Sequence, residues 1–186
     1  AINGGIEPKE NERVIDASGL YLLPGIIDPQ VHFREPGQPE KEDLGSGSAA
    51  AVSGGVTSFL DMPNNKPAIV DMEGMQMKLD SAAATCVSNY GFFIGATPHN
   101  LEQLQEVVGT PSAPKAIPGI CGTKIFMGSS TGTLLVNEHE ALDTIFSGIG
   151  GLIAVHAEDE ARLNERYPSF KDRTDMAAHA EWRDDV

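Results

Sequence analysis

Cysteine is nearly missing from this chain: its 186 residues hold two, Cys86 and Cys121. Two thiols so spaced match neither a metal finger nor a disulfide-stapled scaffold, so stability must come from an ordinary packed core, and both read as buried free thiols. Basic residues are scarce too, with 13 Lys plus Arg against 27 Asp plus Glu and a formal net charge of −14. Without a basic stripe or cluster, nucleic acid is not an expected partner. No run approaches the ~18 consecutive apolar residues of a membrane helix, and no leader-like segment is recognisable. The expectations are a cytoplasmic protein that contacts neither nucleic acid nor membrane. Internal repeats, heptads and low-complexity tracts are also lacking.

What is present is alternation between short apolar runs and longer stretches of helical spacing, the pattern of repeated strand–helix units. Strands are expected at 22–28, 56–62, 88–96, 122–127 and 151–157. All five read as continuous apolar runs, as buried parallel strands do. Between them, Met72, Met75, Leu79 and Ala82 fall on one helical face. A second helix is predicted to start at Asn100 and stop at Gly109, and a third to start at Asn137 and stop near Gly148; each carries a capping residue followed three positions later by Gln or Glu. The stretch 41–53 and the run after Glu158 are further helix candidates. Five units joined by right-handed crossovers fit an open doubly wound sheet or part of an eight-unit barrel. A full barrel takes about 250 residues, so five units would be an incomplete one.

Most polar residues suited to chemistry lie where strands should end: Asp28 through Arg34, Asp61 through Asn65, Lys124, and His156 with Glu158. Loops from successive parallel strands converge on that edge, which is where α/β active sites form. Singly, a strand-end histidine is more often hydrogen-bonded core than ligand. Lys124 is harder to set aside, because an ammonium within an apolar strand must reach the barrel mouth, meet a carboxylate such as Asp28 or Glu158, or lose its charge. A neutral lysine amine can take up carbon dioxide to form a carbamate, an anionic bidentate group able to bridge two divalent metals. His32 and His156 would suit zinc beside it. His99 and His139 read as solvated, and His179, in a polar helix-like stretch, as a poor ligand candidate.

Four segments carry a family resemblance: PGIIDPQVHFREPG followed by KED, GGVTSFLDMPNNKP, GTKIFMGSSTG and GLIAVHAEDE. Together they resemble the dihydroorotase and hydantoinase-type branch of the amidohydrolase superfamily, over roughly residues 13 to 170 and in the family's order. The resemblance implies a metal-dependent cyclic-amide hydrolase on a (β/α)8 TIM-type barrel, present here in part (21–186), with residues 1–20 as a remnant of an N-terminal β-sandwich. It implies His32, Lys124 and His156 as metal-binding positions, Lys124 being the lysine that many members carboxylate. One or two zinc ions would be the cofactor. Arg34 and Asn64 match the residues that hold the substrate carboxylate in dihydroorotases, a role suited to a guanidinium fork and a directional amide. Those two elements favour dihydroorotate over hydantoin, which lacks the carboxylate.

The chain departs from the family pattern twice. Gln30 stands where the family has the first histidine of its HxH pair, and an amide oxygen is a much weaker zinc ligand. The sequence also stops before the family's next histidine motif and its proton-shuttling aspartate. Low zinc occupancy and an N-terminal fragment inactive by itself are therefore expected. Three functions follow. The first is dihydroorotase-like hydrolysis of dihydroorotate to carbamoyl aspartate, in pyrimidine biosynthesis; the second is another cyclic amidase of allantoinase or dihydropyrimidinase type. The third is a catalytically silent homologue acting as scaffold or binding partner. A small-molecule substrate and, as protein partner, a second copy or a transcarbamoylase complete the expectations.

Overall fold

The computed structural model describes residues 9–128 and 132–184. Residues 1–8, most of the proposed sandwich remnant's first half, lie outside it, and residues 9–25 run as exposed chain with turns. From there five parallel strands, β1 (Ile26–Val31), β2 (Val56–Asp61), β3 (Asn89–Gly95), β6 (Ile120–Phe126) and β7 (Ile153–His156), pair in chain order. They form a curled half-barrel. A two-residue hairpin, β4 (Gly109–Thr110) with β5 (Ala113–Pro114), is inserted before β6. The helices are α1 (Leu44–Ser53), α2 (Met72–Thr85), α3 (Leu101–Val108), α4 (His139–Gly148), α5 (Glu160–Phe170) and α6 (Met176–Trp182).

The core lies between sheet and helices. Phe59, Phe92, Ile94 and Ile125 from the strands meet Leu44, Met75, Ala82, Leu104 and Ile145 from the helices, all buried. Each large side chain removed from water contributes about 1.5–3 kcal/mol. Phe33, two residues past β1, packs edge-on against Phe59 with ring centroids 4.8 Å apart. Gly47 in α1 makes room for that ring, since a Cβ there would lie 2.6 Å from the Phe33 ring. The loop that follows β1 is thus anchored to the core by its own aromatic residue.

Several local expectations need correction. The first strand runs from 26 to 31, not 22 to 28: Pro24 has no N–H for a ladder, and the first pairing bond comes from Ile26 N to Gly55 O at 3.1 Å. Leu22 and Leu23 are instead 64% and 76% exposed. The shift puts Gln30 inside the strand, next to an irregularity between Asp28 and Val31. The outer strands β1 and β7 are also mostly unburied, because only inner strands are flanked on both sides. The third helix begins after Glu138 rather than Asn137, with no side-chain cap. Asn100 occupies its predicted cap position, yet its side chain accepts from Thr97 N and donates to Val70 O and Gly95 O, tying the end of β3 and the segment after it to the loop ahead of α2. Cys86 and Cys121 are only partly buried; burial pushes both thiols up.

Candidate active site

Every strand of a parallel sheet points its carboxyl end the same way, so the segments after β1, β2, β6 and β7 share one edge. His32 and Arg34 follow β1 directly, and Asn64 follows β2 by three residues. The strand register sets Val31 beside Asp61, which brings these two loops together. His32 Nδ1 and Asn64 Oδ1 lie 2.7 Å apart. An amide oxygen only accepts, so Nδ1 carries the hydrogen; in the neutral imidazole that leaves the lone pair on Nε2. The same bond leaves the Asn64 NH2 as the amide's free end. Arg34 is half-buried, and its backbone is held by Arg34 N to Glu42 O at 2.9 Å and by Gln38 N to Arg34 O at 2.8 Å.

On the other side of the half-barrel, Lys124 lies in β6 and His156 ends β7. Lys124 is 2% exposed, with Nζ 5.0 Å from the centre of the Phe126 ring. Burial holds its ammonium below the usual lysine value. Neither expected carboxylate reaches it. Glu158 accepts from His156 Nε2 at 2.6 Å and pairs with Arg183 from the end of α6, while Asp28 Oδ1 takes the Gln30 N–H at 3.1 Å. Burial, then the Lys124 and Arg183 cations, hold His156 below its ordinary value, so the imidazole is neutral near pH 7 and donates to Glu158.

Gln30 is exposed, His32 is engaged with Asn64, and His156 with Glu158. Among the described residues, no three His, Cys, Asp or Glu side chains are gathered closely enough to hold a metal ion. His32 directly follows β1 and His156 ends β7, the two outermost strands of the sheet. These donors therefore do not by themselves fit a two-metal centre. His179 faces Trp182 across a 6.5 Å edge-on ring contact in α6, and His99 and His139 are exposed as expected.

Beneath the His32–Asn64 edge lies a buried ion pair that sequence reasoning missed. Lys78 Nζ of α2 is 2.6 Å from Asp61 Oδ2 and 2.7 Å from Asn65 Oδ1. Burial pushes the Asp61 carboxyl up and the Lys78 ammonium down, while their mutual attraction opposes both shifts. A signal was available: Lys78 stands three residues after Met75 and four before Ala82, on the buried face.

A model of the amidohydrolase family matches residues 21–166, from ahead of β1 to beyond β7. The dihydroorotase of Methanosarcina acetivorans is 39% identical over 155 residues, covering 81% of this chain and 31% of that protein. An allantoinase of Deinococcus radiodurans is 34% identical over 155 residues, covering 78% and 32%. Among solved structures, an L-hydantoinase (dihydropyrimidinase) from Arthrobacter aurescens superimposes with a TM-score of 0.79 at 26% identity, over 95% of this chain and 39% of that one. The chain spans about a third of the length of the curated relatives it matches. With the match running unbroken through all five parallel strands and the half-barrel superimposing on a solved relative, this chain belongs to the amidohydrolase family.

Proposed function

We propose that this chain supplies the substrate clamp and part of the metal-ligand set of a dihydroorotase-like cyclic amide hydrolase. The reaction would be the reversible opening of dihydroorotate to carbamoyl aspartate in cytoplasmic pyrimidine biosynthesis. The observation that carries this reading is the 2.7 Å contact between His32 and Asn64. It turns the amide so that its NH2 faces away from the imidazole, and Arg34, two residues after His32 in the same loop, is the residue to which we assign the guanidinium of the clamp. Two such groups recognise a carboxylate, the fork by paired charge-assisted bonds and the amide by direction. Dihydroorotate and carbamoyl aspartate both carry one, and hydantoin does not.

His32, Lys124 and His156 are the positions we assign to the family's metal, with Gln30 as a weak fourth. Zinc held there would activate water and polarise the amide carbonyl. Since the donors here make an incomplete set, low zinc content and no turnover are expected of these 186 residues alone. Gln30 also favours a second reading, a silent homologue that keeps the barrel as scaffold for a second copy or a transcarbamoylase.

Turnover of dihydroorotate, hydantoin and allantoin, measured beside calorimetric binding of N-carbamoyl-L-aspartate and zinc content, separates these readings. Binding of carbamoyl aspartate that Arg34→Met abolishes supports the dihydroorotase-like site. Turnover of allantoin or hydantoin in preference to dihydroorotate would overturn it for another cyclic amidase, and the absence of carbamoyl aspartate binding would leave the scaffold reading.

A further inference from the structure

Phe33 sits between His32 and Arg34, and both of its backbone polar groups are gripped from the neighbouring loop. Its N–H donates to Asp61 Oδ1 at 3.0 Å, and its carbonyl accepts from Asn65 Nδ2 at 3.2 Å. The same carboxylate oxygen takes the Met62 N–H at 2.9 Å, and the same amide donates to Glu35 O at 3.0 Å. Asn64 is thereby bracketed on its own loop by Met62 and Asn65, and Arg34 on the other by Phe33 and Glu35. Both grips end on one cation. Lys78 Nζ meets Asp61 Oδ2 and Asn65 Oδ1, and contacts Met62 O at 3.4 Å.

We infer that Lys78 is a positioning residue for the Arg34–Asn64 edge, acting through Asp61 and Asn65 to lock the loop after β1 to the loop after β2. This rests on the clamp reading above. An ammonium only donates, so it compels Asn65 to turn Oδ1 inward and its NH2 outward to Phe33 and Glu35. It likewise holds one carboxylate oxygen of Asp61, leaving the other for two backbone amides. The flat face of Phe92, 4.9 Å from Nζ, closes the site from below, and Lys78 is 1% exposed, so water does not replace these bonds. Glu35 adds a peripheral tie, accepting from Leu44 N at 3.0 Å and from the Ser81 hydroxyl. All the acceptors of Lys78 lie at the end of β2 and in the loop after it, and the remaining polar atoms of Asp61 and Asn65 hold the backbone of the loop after β1.

Site-resolved amide hydrogen exchange on the whole chain tests this, with Lys78→Met as the first variant. Exchange of the Phe33 and Met62 amides at least about tenfold faster, with Ile94 in β3 and Ile125 in β6 unchanged, is the expected result. Acceleration by a common factor throughout would assign Lys78 to global stability and overturn the inference, as would unchanged exchange at Phe33. Should Lys78→Met not fold, Asn65→Ala leaves the Lys78–Asp61 pair intact and must still speed exchange at the Phe33 and Arg34 amides, which are hydrogen-bonded to Asp61 Oδ1 and Glu42 O; no change there overturns the proposal. Calorimetry with N-carbamoyl-L-aspartate judges the clamp separately. Wild-type binding that weakens about tenfold or more in Lys78→Met supports both statements. Wild-type binding left unchanged in Lys78→Met overturns the positioning role, whereas no wild-type binding removes the clamp reading and leaves the loop lock to stand or fall on the exchange data.

Discussion

Lys124 and Phe126 lie on the same side of β6, and the ammonium of the first stands 5.0 Å from the ring centre of the second, without a carboxylate partner among the described residues. A ring face offsets only a small part of the cost of burying a charge. Lys124→Met, which keeps the length of the side chain and removes its charge, should therefore stabilise the protein by about 1–3 kcal/mol at neutral pH. Thermal unfolding should rise by about 2–4 °C for each kcal/mol. The pH dependence gives the sign. Lys124 has a depressed folded value, so the unfolded chain binds more protons below the ordinary value of 10.5, and the wild type gains stability as pH rises through that window. The advantage of the methionine variant should shrink toward pH 10 and vanish above it.

Gln30→His restores an imidazole at the exposed strand position two residues before His32. Zinc content by mass spectrometry, on protein purified without chelator, should rise from well below one ion per chain in the wild type toward one. Equal zinc content in the two proteins would show that Gln30 does not limit zinc binding.

Phe59 is wholly buried and carries the edge-on contact to Phe33, so Phe59→Ala leaves a cavity under the loop after β1 as well as in the core. A loss of about 3–5 kcal/mol in denaturant unfolding is expected. A loss under 1 kcal/mol would mean that the core repacks around the gap.

Gly109 ends α3 and opens the small hairpin at φ +76°, ψ −168°, where a Cβ would lie 2.3 Å from the Ala113 carbonyl. Gly109→Ala should cost about 1–3 kcal/mol by the same measurement, the ordinary cost of forcing a side chain into that backbone region.

The inner strands were legible because burial on both faces leaves a plain apolar run. Residues 56–62 and 88–96 contain the observed β2 and β3 with only one or two residues to spare. At the outer strand the same rule misled, since Leu22 and Leu23 are as apolar as any core pair yet form no ladder ahead of Pro24. The hairpin at Gly109–Pro114 escaped because two residues per strand give no period to read. At the candidate site, His32 and Asn64 were named from their motifs, and the structure joins them. Lys78 was missed because a lysine on a helix is ordinarily solvated; its partners lie 13 and 17 residues back in sequence, and only the register of β2 against α2 shows that they meet it. Pairing Glu158 with Lys124 was mistaken for a related reason. Two acceptors on one carboxylate were already claimed by His156 and by Arg183, a residue more than twenty positions downstream.

The order of strands in the sheet has a kinetic meaning. Each ladder joins segments about thirty residues apart, Ile26 with Val56, Ser58 with Asn89, Phe92 with Ile120 and Thr123 with Ile153. No strand waits for a distant partner, so each closure costs a similar, moderate loop entropy, and the next strand–helix unit can add to an edge already formed. During synthesis from the amino end, β1 and β2 can pair before β7 has left the ribosome, so the His32–Asn64 edge can assemble ahead of the other strands of the half-barrel.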